Sequence, residues 1–541
     1  MNDRIKIFLP LLLAFAIVAG ILIGRNMEQP VTGKKTMFSF KPNQSSKIND
    51  VINYIDDAYV DTVNNKFLIE TAIRSMLETL DPHSTYIPAD QVQAFNESLE
   101  GGFDGIGIEF HIQNDTIMVV AAVTGGPSEQ LGIQSGDRIV KVEGKNVAGV
   151  GIHNEDVLKL LKGKSGTRVS VSVFRPGYDE LLDFNITRDK IPLTSVDAAY
   201  MIDREIGYIR ISQFAMTTTE EYLDKFLMLK QKGMKKLILD LRDNPGGYLN
   251  IAIKIADEFL PEKKLIVYTK GKSRPEERYV ATKRGFFEEG EMVVLIDEGS
   301  ASASEIVSGA LQDWDRATII GRRSFGKGLV QEPSSFPDGS AIRLTVARYY
   351  TPTGRSIQKP YNRGYENYSR ELLNRSMHGE LENSDSISFA DSLKYLTFGG
   401  RIVYGGGGIM PDVFVPLDTS FYSKFFSDVV TGGILSQFAY DYVDKNRKLL
   451  ATFDDFNEFN SKFFVSDKLY ASFVEYAVGR KAENDETGIK RSAEKIMLNL
   501  KALIARQLWK SEGYFPVINS EDATMKKAID ILSHTKASRT N

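Results

Sequence analysis

MVVLIDEGSASASEIVSGALQDWDRATIIGRRSFGKGLVQ, residues 292 to 331, decides how this chain folds. Val293-Val294-Leu295-Ile296 is a short apolar run closed by polar turn residues, the pattern of a strand covered on both faces. Ser302-x-x-Glu305 is a capping-box pattern, and Ile306, Ala310, Leu311 and Trp314 recur behind it at helical spacing. Thr318-Ile319-Ile320 reads as a second strand, which runs into the loop Phe325-Gly326-Lys327-Gly328. Ser302 therefore falls at a helix N-terminus, where free backbone N–H groups and the helix dipole favour a developing negative charge.

A serine hydroxyl is a poor nucleophile until a base takes its proton. The five histidines, His83, His111, His153, His378 and His534, all fall outside this stretch, which does not exclude them, because catalytic partners often meet only in the fold. Lys327 is the nearer base, because an ammonium desolvated in a packed pocket loses its proton near neutral pH. Gly321-x-x-x-x-Gly326-Lys327 imitates the start of a phosphate-binding loop. That reading fails, since Gly328 stands where Ser or Thr should hold magnesium and the sequence that follows reads as strands and turns rather than a helix.

The order LILDLRDNPGG (237 to 247), GSASASEI (299 to 306) and FGKGLVQ (325 to 331) resembles the C-terminal processing peptidases, or tail-specific proteases, a Ser-Lys serine endopeptidase family. The resemblance covers roughly residues 45 to 418. It implies that Ser302 is the nucleophile, that Lys327 is the base, 25 positions later (327 − 302), and that Gln331 orients the lysine. It also implies an oxyanion hole built from the N–H groups of Ala303 and of Gly246 or Gly247. No metal or organic cofactor is expected.

Working outward, residues 98 to 178 resemble a PDZ domain: Gly105-Ile106-Gly107 opens a strand carrying Ile106, Ile108 and Phe110 in alternation. GGPSEQLGIQSGDRIVKVEG, a helix near Asn154 to Leu161 and the strand Val169, Val171, Val173 continue it. Such a domain binds extended peptide ends by strand addition, here at Gly105, Ile106, Gly107 and Ile108. Its last strand is expected to end at Phe174-Arg175-Pro176 and lead straight into the core, which makes Arg175 a candidate gating lever.

The core spans 179 to 418, with strands at Tyr208–Ile211 and Leu237–Leu239 and a turn Asp240 to Gly247 whose carboxylates read as turn-forming and ion-pairing. Residues 362 to 392 are polar and expected as a surface loop. Residues 46 to 97 read as helical, with Ile69, Ile73, Met76, Leu77 and Leu80 on one face and a structural turn at His83. Residues 419 to 541 read as a helical extension whose default role is packing or dimerisation. At the other end, MNDRIKIFLPLLLAFAIVAGILIGR (1 to 25) reads as an export signal, favoured as an uncleaved membrane anchor, and 26 to 45 as a linker.

The 541 residues exceed one core, and 42% hydrophobic with 26% charged residues places the chain among globular proteins. A net charge of −4 gives no reason to expect nucleic acid, and zero cysteines exclude disulfides and thiolate chemistry. The expected fold is a mixed α/β serine-protease core with an inserted PDZ domain and helical segments at both ends. The expected function is an envelope serine endopeptidase selecting substrates with free C-termini. It would sit at a bacterial inner membrane facing the periplasm, or be periplasmic if the signal is cleaved. A homo-oligomer or an adaptor protein stays open. The competing reading is a catalytically silent PDZ-bearing scaffold.

Overall fold

Short apolar runs separated by amphipathic helices make a sheet covered on both faces, and a computed structural model, which describes residues 47–283 and 285–534, shows where each run goes. The strands Val196–Met201, Ile206–Ile211, Lys236–Asp240, Met292–Ile296, Thr318–Gly321 and Val413–Phe414 lie side by side in that order. The first pairing is antiparallel and the rest are parallel. Alternation assigns the two faces. Leu237, Leu239, Val294 and Ile296 pack against the helices Thr218–Gln231, Leu249–Asp257 and Ala303–Asp313, while Ile238, Val293 and Leu295 point to the other side. Parallel strands end at one edge, so the turns after Asp240, Ile296 and Gly321 are neighbours there.

The second face is closed by the end of the chain. Met525, Ala528 and Leu532 of the helix Ala523–His534 pack on Tyr208, Ile238, Val293 and Ile320. Met525 and Leu532 each contribute about 1.5–3 kcal/mol by burial, and the Ala528 methyl about 0.8 kcal/mol. The packing role expected for the extension is thus seen for its last helix. The preceding helices, from Lys424–Thr431 to the long Glu486–Ser520, hold two cores of their own around Phe425, Phe473 and Leu500 and around Phe459, Ala505 and Val517.

A second sheet joins Thr85–Ile87, Ala341–Tyr350, Leu265–Lys270 and Glu277–Val280, with Leu329–Ser335 paired to Ala341–Tyr350. The strands and turns after Lys327 therefore stand as expected, and no helix follows the glycine-lysine loop. The turn at His83 leads into the short strand Thr85–Ile87, which was not foreseen.

The PDZ unit is a sheet with Ile108–Gln113 at its edge, followed by Thr116–Ala122, Arg138–Val142, Arg168–Phe174 and Leu182–Thr187, and with the helix Asn154–Leu161 as predicted. Two expectations change here. Arg168–Phe174 is not the last strand, because the chain turns at Pro176-Gly177 and Leu182–Thr187 pairs back along it. The unit thus runs past 178, and Arg175 sits in a turn of the PDZ unit rather than on a direct lead into the core.

Residues 362 to 392 are also not a loop alone: Tyr365–Ser369 and Glu371–Met377 are helices that bury Tyr368 and Arg375. At the N-terminal end, Lys47–Ala58, Asn65–Glu78 and Ala89–Glu100 are helical. Of the expected apolar face, Leu77 is buried whereas Ile69, Met76 and Leu80 are exposed. The anchor at 1–25 and the linker at 26–45 lie outside the described residues. Among the described residues no helix is long and apolar enough to cross a membrane.

Candidate active site

The strand Met292–Ile296 delivers the serine run to the sheet edge, and hydrogen bonds there distinguish its three hydroxyls. Ser300 Oγ donates to Leu241 O at 2.7 Å and Ser304 Oγ to Asn244 O at 2.9 Å, and both residues are fully buried. Ser302 is half-buried and caps the helix Ala303–Asp313 with φ 56° and ψ −111°, a conformation that costs an L residue of order 1–3 kcal/mol. Ser302 is thus set on a sharp strand-to-helix turn at the positive end of a helix.

Gly246 explains why a glycine pair stands opposite. A β-carbon on Gly246 would lie 2.7 Å from Ser302 Cβ and 2.8 Å from Ala303 N, a collision with backbone that cannot relax. Its own N–H, however, donates to Asn244 Oδ1 at 2.8 Å. Gly246 O and the Tyr248 N–H carry the two bonds to Phe214, which leaves the Gly247 N–H outside that pairing. Of the two glycine donors expected for an oxyanion hole, Gly246 is already engaged by Asn244, whereas the Gly247 N–H takes no part in the Phe214 pairing.

Lys327 is brought to Ser302 by two buried residues. The Glu305 carboxylate accepts from Ser302 N at 2.8 Å and Lys327 N at 2.9 Å through one oxygen, and from Gly326 N at 2.7 Å and Ser324 Oγ at 2.5 Å through the other. The Tyr349 hydroxyl reaches Lys327 O at 2.7 Å and Ser302 O at 3.0 Å. The serine turn and the lysine loop are therefore pinned at both their N–H and C=O groups. Burial raises the Glu305 pKa, and its four hydrogen bonds pull it back.

The Lys327 amine donates to Gln331 Oε1 at 3.0 Å, and Gln331 Nε2 in turn donates to the His83 carbonyl. That second bond fixes which end of the amide faces the lysine. Burial, followed by the nearby Arg343 cation, lowers the Lys327 pKa to about 8. His83 itself donates or accepts at Tyr368 Oη, 2.6 Å away, and burial with the Lys327 charge lowers its pKa to about 4. The expected turn role of His83 thus includes holding Gln331 through its backbone.

Sequence reasoning named Ser302, Lys327, Gln331, Ala303, Gly246 and Gly247, and the fold gathers all of them at one edge. It treated Glu305 as a cap only, and missed Tyr349, Tyr368 and Arg375. Arg375 donates to Ser324 O at 3.0 Å and to Arg323 O at 2.6 Å, bracing the lysine loop from the segment expected as a surface loop. The S-x-x-E spacing carried a signal for Glu305; nothing local marks the other three. Asp240 is ion-paired with Arg242 at 2.7 Å and Arg210 at 3.5 Å, in keeping with a structural reading.

At the PDZ loop, Val123 N donates to Gly107 O and Ser128 N and Oγ to Ile106 O, so the loop carbonyls are turned inward. Gly107 has φ 73°, as such a turn needs. A small cavity of about 40 Å³ beside the loop is lined by Ile106, Ile108, Val157 and Leu161. Arg175 pairs twice with Asp137 at 2.7 Å and donates to Gly132 O at 2.8 Å, all within the PDZ unit.

A half-open serine beside a desolvated lysine, on a chain that also carries a peptide-binding domain, defines the class: a serine protease with a PDZ domain. Residues 205–364 match Peptidase family S41, 118–175 a PDZ domain, 22–91 the activating protease CtpB N-terminal domain, and 425–510 a family of unknown function. The chain is 36% identical over 384 residues to a carboxy-terminal-processing protease of Bartonella bacilliformis, covering 68% of this chain and 87% of that one. It is 34% identical over 360 residues to the carboxy-terminal processing protease CtpA of Bacillus subtilis, covering 66% and 76%. A solved photosystem II D1 C-terminal processing protease shares 27% identity over 68% of this chain and 92% of its own, with a TM-score of 0.35. The chain belongs to the carboxy-terminal processing proteases of peptidase family S41.

Proposed function

We propose that this protease is an endopeptidase that takes protein substrates by their C-termini at the PDZ domain and cleaves with Ser302 and Lys327. The observation that carries this reading is the pinning of the serine turn and the lysine loop by Glu305 and Tyr349, with the Lys327 pKa lowered to about 8. Neutral Lys327 takes the Ser302 proton, and Oγ attacks the scissile carbonyl carbon. The oxyanion forms toward the N–H groups of Ala303 and Gly247. The lysine ammonium gives its proton to the leaving amine as the C–N bond breaks, leaving an acyl ester on Ser302. Water, deprotonated by the same amine, hydrolyses that ester and the serine recovers its proton. Gln331 holds the amine in line throughout. The export-type N-terminus, Arg4 and Lys6 before an apolar run, supports work in the cell envelope.

The test incubates the full chain with peptides that differ only in their last three residues and reads products by mass spectrometry. Cleavage that depends on those residues and vanishes in Ser302→Ala is expected. Cleavage that persists in Ser302→Ala sinks the dyad, and no cleavage of any peptide favours the silent scaffold.

A further inference from the structure

The helix Ile434–Lys445 lies in the segment that matches a family of unknown function, yet it docks on the edge strand of the PDZ unit. Ile108, Phe110 and Ile112 of that strand pack into the PDZ core, so Glu109, His111 and Gln113 face outward. All three outward residues meet the extension. Glu109 lies 3.7 Å from Arg506, the His111 ring stacks on Tyr440 with centroids 4.3 Å apart, and Gln113 Nε2 donates to Asp441 Oδ1 at 2.6 Å. Arg447 donating to Ser135 O at 3.0 Å, and Arg138 3.4 Å from Asp444, extend the contact.

This docking leaves a cavity of about 570 Å³ lined by Phe110, His111, His153 and Asn154 from the PDZ unit and by Ser436 and Gln437 from the helix. The His111 ring lines it, and both ring nitrogens are buried without a hydrogen-bond partner, a costly arrangement that a shift of the ring on ligand binding would relieve. The cavity also lies on the path of a bound peptide. With its carboxylate at the Gly105–Gly107 loop, a peptide adding to the edge strand must run toward Gln113. At about 3.3 Å per residue it passes Phe110 to Ile112 some two to four positions before its end.

We propose that the helix Ile434–Lys445 is a third wall of the PDZ groove and reads the substrate residues two to four positions upstream of the C-terminus. The small apolar cavity by the loop takes the terminal side chain, while the larger polar one takes hydrogen-bonding side chains upstream. The inference rests on the reading of the PDZ domain as the site for substrate ends.

The test measures peptide affinity on the full chain carrying Ser302→Ala, so that nothing is consumed. Peptides of two and seven residues share one apolar last residue, each with a free or amidated end. The seven-residue peptide is expected to bind about tenfold or more tighter than the two-residue one. Ser436→Trp, which fills the cavity, should erase that gain and leave the two-residue affinity within about twofold. Gln437→Ala should cut the gain about threefold, and carries the test if the tryptophan variant loses its thermal transition. A length gain preserved in both folded variants overturns the proposal and makes the helix a packing element only. Equal binding of free and amidated ends instead overturns the underlying reading of the PDZ groove.

Discussion

The cleft around Ser302 and the groove beside Ile108 are both made where a glycine turn meets a helix, but their polar groups are treated oppositely. At the cleft the Glu305 carboxylate has four donors, the Tyr349 hydroxyl two carbonyls, and Gln331 is engaged at both ends. At the groove the loop carbonyls are tied inward while the His111 nitrogens are left without a partner. A satisfied network holds one geometry, which is what a chemical step needs. Unsatisfied groups favour the arrival of something that satisfies them, which is what a recognition surface needs. Substitutions in the cleft should therefore act on rate, and substitutions in the groove on affinity.

The largest effect tests that division directly. Ser302→Ala and Lys327→Ala are each expected to lower kcat by about 10⁴ or more, and the double variant by no more than the worse single one, because both act in one step. Lys327→Arg should be as inactive, since a guanidinium is no base near neutral pH. Ser300→Ala should instead cost about 1–3 kcal/mol of stability by stranding the carbonyl of Leu241, and Ser304→Ala about 1 kcal/mol, since Asn244 O keeps the Ala301 N–H, with most activity kept in both. Steady-state kinetics beside thermal melts separate the outcomes, and a dead, stable Ser300→Ala would move the nucleophile.

Next in size is the frame. An amide at 305 turns its N–H₂ toward one or two backbone donors, Gly326 N or the pair Ser302 N and Lys327 N, so Glu305→Gln breaks at least one of the four bonds. A fall of about 10²–10³ in kcat with little change in KM is expected, and about tenfold for Tyr349→Phe. A change confined to KM in either variant would place these residues in substrate binding rather than in positioning.

The pH profile follows in magnitude. If the free amine of Lys327 is the base, kcat/KM rises with pH through about 8. Arg343 is the second cause of that lowered pKa, so Arg343→Met should move the midpoint upward by up to about one unit. Stability carries the same signature. The folded pKa lies below the unfolded one, so the buried cation penalises the fold fully below pH 8, and the penalty fades as pH rises toward 10.5. Lys327→Met should thus be more stable than the parent by roughly 3 kcal/mol near pH 7, with the difference shrinking above pH 8. An unchanged profile in Arg343→Met would show that burial alone sets the lysine.

Much of this frame was legible because its signals are local. The apolar runs at 237 and 293, the serine run and the glycine-lysine loop each declare a strand end or a turn within a few residues. Tyr349 and Arg375 were not legible, since each acts on carbonyls 22 to 52 positions away and looks locally like any strand tyrosine or helix arginine. The last PDZ strand was missed although its signal is local: Leu182, Phe184 and Ile186 alternate strictly with Asp183, Asn185 and Thr187, and Ile186 is fully buried. That the extension is helical was legible, but not which face of which sheet its helix Ala523–His534 would cover.

The smallest effect concerns Arg175, where a brace and a lever make different predictions. The Asp137 side chain is 1% exposed and Arg175 14%, and Gln134 N also donates to Asp137 at 2.9 Å. Removing the guanidinium leaves a buried carboxylate with one backbone donor in place of its cation, which should cost the PDZ unit about 2 kcal/mol. As a brace, Arg175→Ala lowers the thermal transition and weakens tail binding, while cleavage of a short peptide with an amidated end keeps its rate. As a lever between PDZ domain and core, the same variant changes that tail-independent rate. Because the chain folds back at Pro176-Gly177 and every hydrogen bond of Arg175 stays within the PDZ unit, the first outcome is expected. A rate change of more than about threefold on the amidated peptide would restore the lever and tie recognition to chemistry through this turn.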